Sequence, residues 1–307
     1  MKVFLNEPIH KDAYQLLSNH FVIVNDFSNI QDCEVIITRN IKLDKNILKK
    51  CHSLKLIAVH GSGYDDVDIE YAKNHNIHLI NTPGENALSV AELNIALMLE
   101  LSRNIYSLNK DKKEGLITEV APIGYMGNEV SYKNAGFIGY GHIAKKTIDI
   151  LKYGFHMNIN VYSPQLTQEQ AANEDIHYIS HIKDIFKESD YIFVCCSLNE
   201  DTYHMINKEH FDVMKPTAYL INTSRGAIIN EYDLYNALIN KQFAGAGLDV
   251  IENEPIEYNH PILSLNNVIY TSHIGASTDD ALRRVGLCMV EGIIDCIKYS
   301  KSKYMLF

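Results

Sequence analysis

Phe137-Ile138-Gly139-Tyr140-Gly141-His142-Ile143-Ala144 reads as a short apolar strand that runs into G-x-G-x-x-A and then into a helix beginning near His142. A parallel strand that turns tightly into a helix leaves unpaired N–H groups at the helix start, where a pyrophosphate sits well. Gly139 permits the turn, Gly141 lets the backbone approach phosphates with no side chain in the way, and Ala144 lets helix and strand pack closely. Glycine-rich turns also occur without a ligand, so the surroundings decide. A second strand, Ile159-Asn160-Val161-Tyr162, follows at the right distance, strands and helices keep alternating, and polar residues fall just beyond strand ends.

At 307 residues the chain suits two domains, each able to bury its own core. With 46% apolar and 21% charged residues it has the composition of a globular protein. A formal charge of −10 repels phosphate polymers, which argues against a nucleic-acid partner. The lysines at 49–50 and between 110 and 113 are short runs on solvated faces. Residues 1–8 read as a first strand, too short in their apolar part for a signal peptide. Glu100 and Arg103 interrupt even the most apolar helix, so no membrane span and a cytoplasmic location are expected. The 6 cysteines show no C-x-x-C spacing and fall mostly in apolar patterns, which points to buried thiols and to no metal site.

Strands are expected at Lys2 to Leu5, Phe21 to Val24, Glu34 to Thr38, Lys55 to Val59 and His78 to Ile80, with helices between them, as in an open α/β layer. The glycine-rich loop His60-Gly61-Ser62-Gly63-Tyr64-Asp65 follows the fourth of these, where adjacent N–H groups could hold a carboxylate or simply form a turn. The run Ser89 to Leu101 predicts a helix apolar on most of its circumference, buried between domains and against another subunit. The polar stretch Asp111 to Lys133 reads as the crossing into the second domain. There, strands are expected at Ala135 to Ile138, Ile159 to Tyr162, Tyr191 to Cys196, Ala218 to Asn222, Ala244 to Asp249 and Val268 to Thr271. A helix over Glu231 to Asn240 is capped by Asn230, and a long helix after Ser277 carries a core stripe of Leu282, Val285, Met289, Ile293 and Cys296.

Three polar groups stand just past successive strand ends: Arg225, Glu254 and His273. That is the edge at which a doubly wound sheet binds its ligand. A histidine can give or take a proton near neutral pH, a carboxylate holds its tautomer, and a guanidinium orients a carboxylate and polarises a carbonyl. Together they make a set able to move a proton and a hydride at a carbonyl.

The chain resembles the D-isomer-specific 2-hydroxyacid dehydrogenases, nearest in look to the branch of D-3-phosphoglycerate dehydrogenase and the hydroxypyruvate and glyoxylate reductases. The motifs that carry the likeness fall in order from Glu34 to about Gly292. They are Gly61-Ser62-Gly63-Tyr64-Asp65, Ser89-Val90-Ala91-Glu92, Gly139 to Ala144, Asn222-Thr223-Ser224-Arg225-Gly226, Leu248-Asp249-Val250 with Glu254-Pro255, and His273-Ile274-Gly275. The resemblance implies two doubly wound α/β domains, a flavodoxin-like substrate domain over 1–103 plus 280–307 and a Rossmann-type dinucleotide-binding domain over 104–279. It implies an NAD(P)-dependent enzyme that interconverts a small 2-oxo acid and its D-2-hydroxy acid. His273 would be the acid/base, Glu254 its partner, and Arg225 the group that binds the carboxylate and carbonyl oxygen.

By the same resemblance Ser62, Gly63 and Arg39 join Arg225 in holding substrate, Arg39 on the substrate's phosphate if it carries one. The cofactor would meet Gly139, Tyr140, Gly141, His142, Ile143, Ser163, Ser197, Thr202, Thr223, Ser224, Asp249 and Gly275, with Asp249 at the nicotinamide carboxamide. A homodimer through the helix near Ala91 to Leu101 is implied as well. The chain departs from the pattern at Ser163-Pro164, where many members carry an acid, which leaves NAD and NADP open with a slight lean to NADP; at Cys195-Cys196-Ser197-Leu198, where many carry a proline; and in having no tryptophan. Another class stays open, a dinucleotide-sensing scaffold of the same fold that binds protein partners.

Overall fold

The computed structural model describes all residues, 1–307. Twelve strands and eleven helices alternate along the chain. The strands are β1 Lys2–Phe4, β2 Val22–Val24, β3 Val35–Thr38, β4 Leu56–Val59, β5 His78–Ile80, β6 Asn134–Ile138, β7 Asn158–Tyr162, β8 His177–Tyr178, β9 Tyr191–Val194, β10 Tyr219–Asn222, β11 Gly245–Leu248 and β12 Val268–Tyr270. The helices are α1 Lys11–Ser18, α2 Lys45–Leu48, α3 Ile69–Asn74, α4 Ala87–Arg103, α5 Ile105–Lys113, α6 His142–Phe155, α7 Gln168–Asn173, α8 Ile182–Glu188, α9 Lys208–Phe211, α10 Glu231–Ile239 and α11 Asp279–Tyr299. No helix is long and apolar enough to cross a membrane.

The chain divides into two compact units, Met1–Ser89 with Ala276–Phe307, and Val90–Gly275. In the first, five parallel strands run in the order β2-β1-β3-β4-β5, the flavodoxin-like order. One face buries Phe4, Ile36, Ile57 and Leu79, the other Val3, Leu17, Val35 and Ala58 against Met289 and Ile293 of α11. Short all-apolar strands covered on both faces cannot alternate in polarity, which is why they read as solid apolar runs in the sequence.

The second unit is a seven-stranded parallel sheet, β12-β11-β10-β9-β6-β7-β8. Counted from β6, this is the 3-2-1-4-5-6 Rossmann order with one strand added, and it reverses between β6 and β9. The two-residue edge strand β8 was not expected; it pairs only with β7, through Asn160–His177 and Val161–Tyr178.

The division differs from the expected one at both joins, 89/90 instead of 103/104 and 275/276 instead of 279/280. The reason lies in α4, whose Ile95, Leu97 and Met98 are core residues of the second unit, packed with Phe137, Ile148 and Phe193. The stretch 111–133, expected as a domain crossing, therefore lies wholly inside the second unit.

Candidate active site

At the end of β6, Gly139 has φ +100° and donates its N–H to the carbonyl of Tyr162 at 2.8 Å. A Cβ there would sit 2.7 Å from the Cys196 nitrogen and 2.8 Å from the Cys195 carbonyl, so conformation and space both demand glycine. Gly141 caps α6 without any side-chain hydrogen bond, and nothing lies within 4 Å of where its Cβ would be. The first N–H groups of a 14-residue helix thus meet an open approach at its positive end. A dinucleotide pyrophosphate fits these donors.

Tyr140 donates its hydroxyl to Glu174, with Lys145 over its ring, which ties the glycine loop to the end of α7. Burial, with that carboxylate beside it, pushes the Tyr140 phenol well above its usual range. His142 and Ile143 form the first turn of α6. Ser163 is buried just past β7, its Oγ 3.4 Å from the Gln165 N–H it accepts. Past β9, Thr202 donates to the Ser197 carbonyl at 2.8 Å and accepts from the Asn199 N–H at 2.8 Å, which closes that loop. Burial pushes the Cys196 thiol up to about 11, so it stays protonated and inert near neutral pH.

Arg225 follows β10 in a loop organised by Asn222, whose Oδ1 accepts from the Ser224 N–H at 3.0 Å and hydroxyl at 2.7 Å. The Asn222 side-chain amide donates to the Arg225 carbonyl at 3.0 Å, and Arg225 Nη1 donates to the Ser224 carbonyl at 2.8 Å. Thr223 donates to the buried Asn94 of α4 at 2.8 Å, and Asn94 in turn donates to Thr147 of α6 at 3.1 Å. The arginine loop and the dinucleotide helix are thereby pinned to one buried amide.

His273 follows β12 with φ +53°, and its N–H donates to the Asp249 carbonyl at 2.8 Å. Its Nδ1 lies 2.7 Å from Glu254 Oε2, while Glu254 Oε1 accepts from the Ile251 N–H at 3.2 Å. Asp249, 1% exposed, accepts from the Thr271 hydroxyl at 2.6 Å and from the N–H groups of Ile274 and Gly275 at 2.8 Å each. Its carboxylate therefore organises the turn that presents His273, a role that sequence reasoning missed. Its distance from His273 along the chain hides it; an acid at a buried strand end is the only trace.

In the first unit, the loop with Ser62 and Gly63 follows β4, and Arg39 follows β3. Glu7 accepts from the Arg39 N–H at 2.8 Å, and Arg39 Nη2 donates to the Ser277 hydroxyl at 2.9 Å. His60 is 6% exposed; burial, with Arg39 nearby, lowers its pKa to about 4 and keeps it neutral. No group of three or more His, Cys, Asp or Glu is placed to hold a metal ion.

The family model described as D-isomer specific 2-hydroxyacid dehydrogenase, NAD binding domain, matches residues 95–275. The chain is 36% identical over 304 residues to a hydroxypyruvate reductase of Thermotoga maritima, covering 95% of this chain and 97% of that protein. It is 37% identical over 259 residues to a glyoxylate reductase of Thermococcus litoralis, covering 82% and 77%. Among solved structures, a D-lactate dehydrogenase from Aquifex aeolicus, complexed with NAD and lactic acid, is similar at a TM-score of 0.85 and 27% identity, covering 97% and 96%. With the family model matching more than half of this chain and a relative of 36% identity matched almost end to end, the chain belongs to the D-isomer specific 2-hydroxyacid dehydrogenases, oxidoreductases that use a nicotinamide dinucleotide.

Proposed function

We propose that this enzyme reduces a small 2-oxo acid, glyoxylate or hydroxypyruvate in the first instance, to its 2-hydroxy acid, the D isomer where the product is chiral. The observation that carries the reading is the 2.7 Å contact between His273 Nδ1 and Glu254 Oε2 beyond a strand end of the Rossmann sheet. With Nδ1–H donated to Glu254, the other ring nitrogen is the one that handles a proton, and the carboxylate supports the imidazolium that must exist when His273 acts as an acid. A reduced nicotinamide, when bound, supplies the hydride. His273 then gives its Nε2 proton to the carbonyl oxygen as the carbonyl carbon gains the hydride, so the product is the neutral alcohol. Arg225 pairs with the carboxylate and draws electron density toward the carbonyl oxygen. In the first unit, the family resemblance assigns the N–H groups of Ser62 and Gly63 to the substrate's carboxylate and Arg39 to a phosphate where the substrate carries one.

The substrate class is supported by the names of the two reductases at 36% and 37% identity. Steady-state rates with glyoxylate, hydroxypyruvate, pyruvate and 3-phosphohydroxypyruvate, each with NADH and NADPH, test it. Turnover should be highest with one of the first two; no turnover of any would remove the reading.

Cofactor choice rests on Ser163. An acid at this position accepts hydrogen bonds from the adenosine ribose and repels a 2′-phosphate; Ser163 lifts the repulsion and supplies no positive charge. Both cofactors are therefore accepted, with a modest lean to NADP. Ser163→Asp should move the ratio of kcat/KM for NADH over NADPH upward by roughly tenfold, through KM for NADPH. An unmoved ratio would take the choice away from this residue.

The enzyme is proposed to be a homodimer. Helix α4 is mostly buried in the single chain, so the apolar surface that wants a partner lies just after it. Ile105, Tyr106, Leu116, Val120, Ile123 and Met126 are between 49% and 97% exposed over a stretch of 22 residues, 105–126. A twofold contact between copies is the commonest way to cover such a segment. Light scattering at micromolar protein should give twice 34.9 kDa, and a single-chain mass would refute the dimer.

A further inference from the structure

We propose that Asn81 and Thr82, buried just past β5, are positioning residues that set the Gly61–Gly63 loop to capture the substrate's carboxylate; this rests on the 2-oxo acid reading above. Strands β4 and β5 are parallel neighbours, so the segments that leave their carboxyl ends run side by side. Thr82 donates to the Gly61 carbonyl twice, from its N–H at 2.9 Å and from its hydroxyl at 3.1 Å. Asn81 donates its side-chain amide to the Ser62 carbonyl at 2.8 Å. The Ser62 hydroxyl is drawn the same way, 3.3 Å from the Thr82 carbonyl and 3.2 Å from Asn86 Oδ1.

In a trans peptide the N–H points opposite to the C=O that precedes it. Drawing the carbonyls of Gly61 and Ser62 toward residues 81–82 therefore turns the N–H groups of Ser62 and Gly63 away from them. Neither of those N–H groups has a partner within the protein. Two consecutive outward N–H groups, with the Gly61 and Ser62 carbonyls facing back, form an anion cradle. Were either peptide to flip, a carbonyl oxygen would face the carboxylate in place of a donor. Gly61 holds φ +156° with nothing within 4 Å of its Cβ position, so the backbone path, rather than crowding, selects glycine there.

Asn81 and Thr82 are 5% and 1% exposed, so they act through the loop rather than on a ligand. Asn81 is held from its other side as well. Its N–H donates to the Tyr304 carbonyl at 3.2 Å, and Met305 bridges antiparallel to Ile80. The segment after α11 thus braces the amide that orients the loop.

The test compares glyoxylate with its primary amide in the full chain, as wild type, Asn81→Asp and Thr82→Val. Asn81→Asp puts an acceptor against the Ser62 carbonyl and removes the pull that orients the Gly63 N–H. Its KM for glyoxylate should rise about tenfold, with kcat within about threefold and KM for NADH within about twofold, as loss of one hydrogen bond to a charged group implies. The preference for acid over amide should fall by the same factor, which a general loss of stability would not produce. Thr82→Val keeps its backbone N–H on Gly61, so the preference should fall less, by about threefold; it also serves if Asn81→Asp does not fold. An acid-over-amide preference unchanged in both variants overturns the positioning role while leaving the proposed reaction intact. A wild type that turns over glyoxylate but does not prefer it to the amide overturns both the positioning role and the carboxylate role of the loop. A wild type without turnover of any 2-oxo acid removes the reading on which both rest.

Discussion

Replacing His273 with alanine is expected to lower turnover by about 10²- to 10⁴-fold, the usual worth of a positioned acid/base, and to leave dinucleotide affinity within about a factor of two. The geometry separates the two effects. The imidazole is held by Glu254 at 2.7 Å, whereas the dinucleotide donors lie at the uncapped start of α6 after a different strand. The backbone of the His273 turn is fixed by Asp249 through Ile274 and Gly275, so removing the ring should not unravel the turn. Single-turnover rates with NADH, alongside a titration of NADH binding by fluorescence, give both quantities. Turnover at the wild-type rate would end the assignment, and a parallel collapse of NADH binding would mean that the ring is structural.

The second large effect is expected at a residue with no chemistry of its own. A Cβ on Gly226 would fall 1.8 Å from the Ile251 carbonyl carbon, 2.0 Å from its oxygen and 2.3 Å from the Glu252 nitrogen. These are backbone atoms with no flexible end to swing aside, so Gly226→Ala must push apart the loop that carries Arg225 and the loop that carries Glu254. Displacements near 1 Å at reacting groups can cost about 10²-fold, and kcat/KM of Gly226→Ala should fall at least that far. Because Arg225 and Glu254 move together, both kcat and KM for the oxo acid should suffer, with KM for NADH changing least. An alanine variant with wild-type kcat/KM would show that the two loops need not touch for activity.

Much of the fold was legible because parallel strands covered on both faces must be solid apolar runs, and those runs are hard to mistake. The strand after Asp190 and the strand ending at Asn222 were each placed within two residues for this reason. The edge strand β8 was not, since two residues with one neighbour need no apolar run. The join between units is not legible because α4 is apolar on most of its circumference, and its sequence does not say which core takes which face. Arg225, Glu254 and His273 stood out by following successive strands. Asn94, Asn81 and Thr82 did not, nor did the hold of Asp249 on the His273 turn, because each works through a hydrogen bond to a residue distant in sequence, and no local pattern records such a bond. Tyr140 is a related case: its place in the glycine loop is plain, but its bond to Glu174 depends on how α7 ends.

The most direct measurement of the central claim is the configuration and stoichiometry of the product formed from hydroxypyruvate and a reduced nicotinamide dinucleotide. The account predicts one molecule of D-glycerate for each reduced dinucleotide oxidised, as chiral chromatography of the product against the absorbance change would report. L-glycerate, a racemic product, or oxidation of the dinucleotide without glycerate would contradict it.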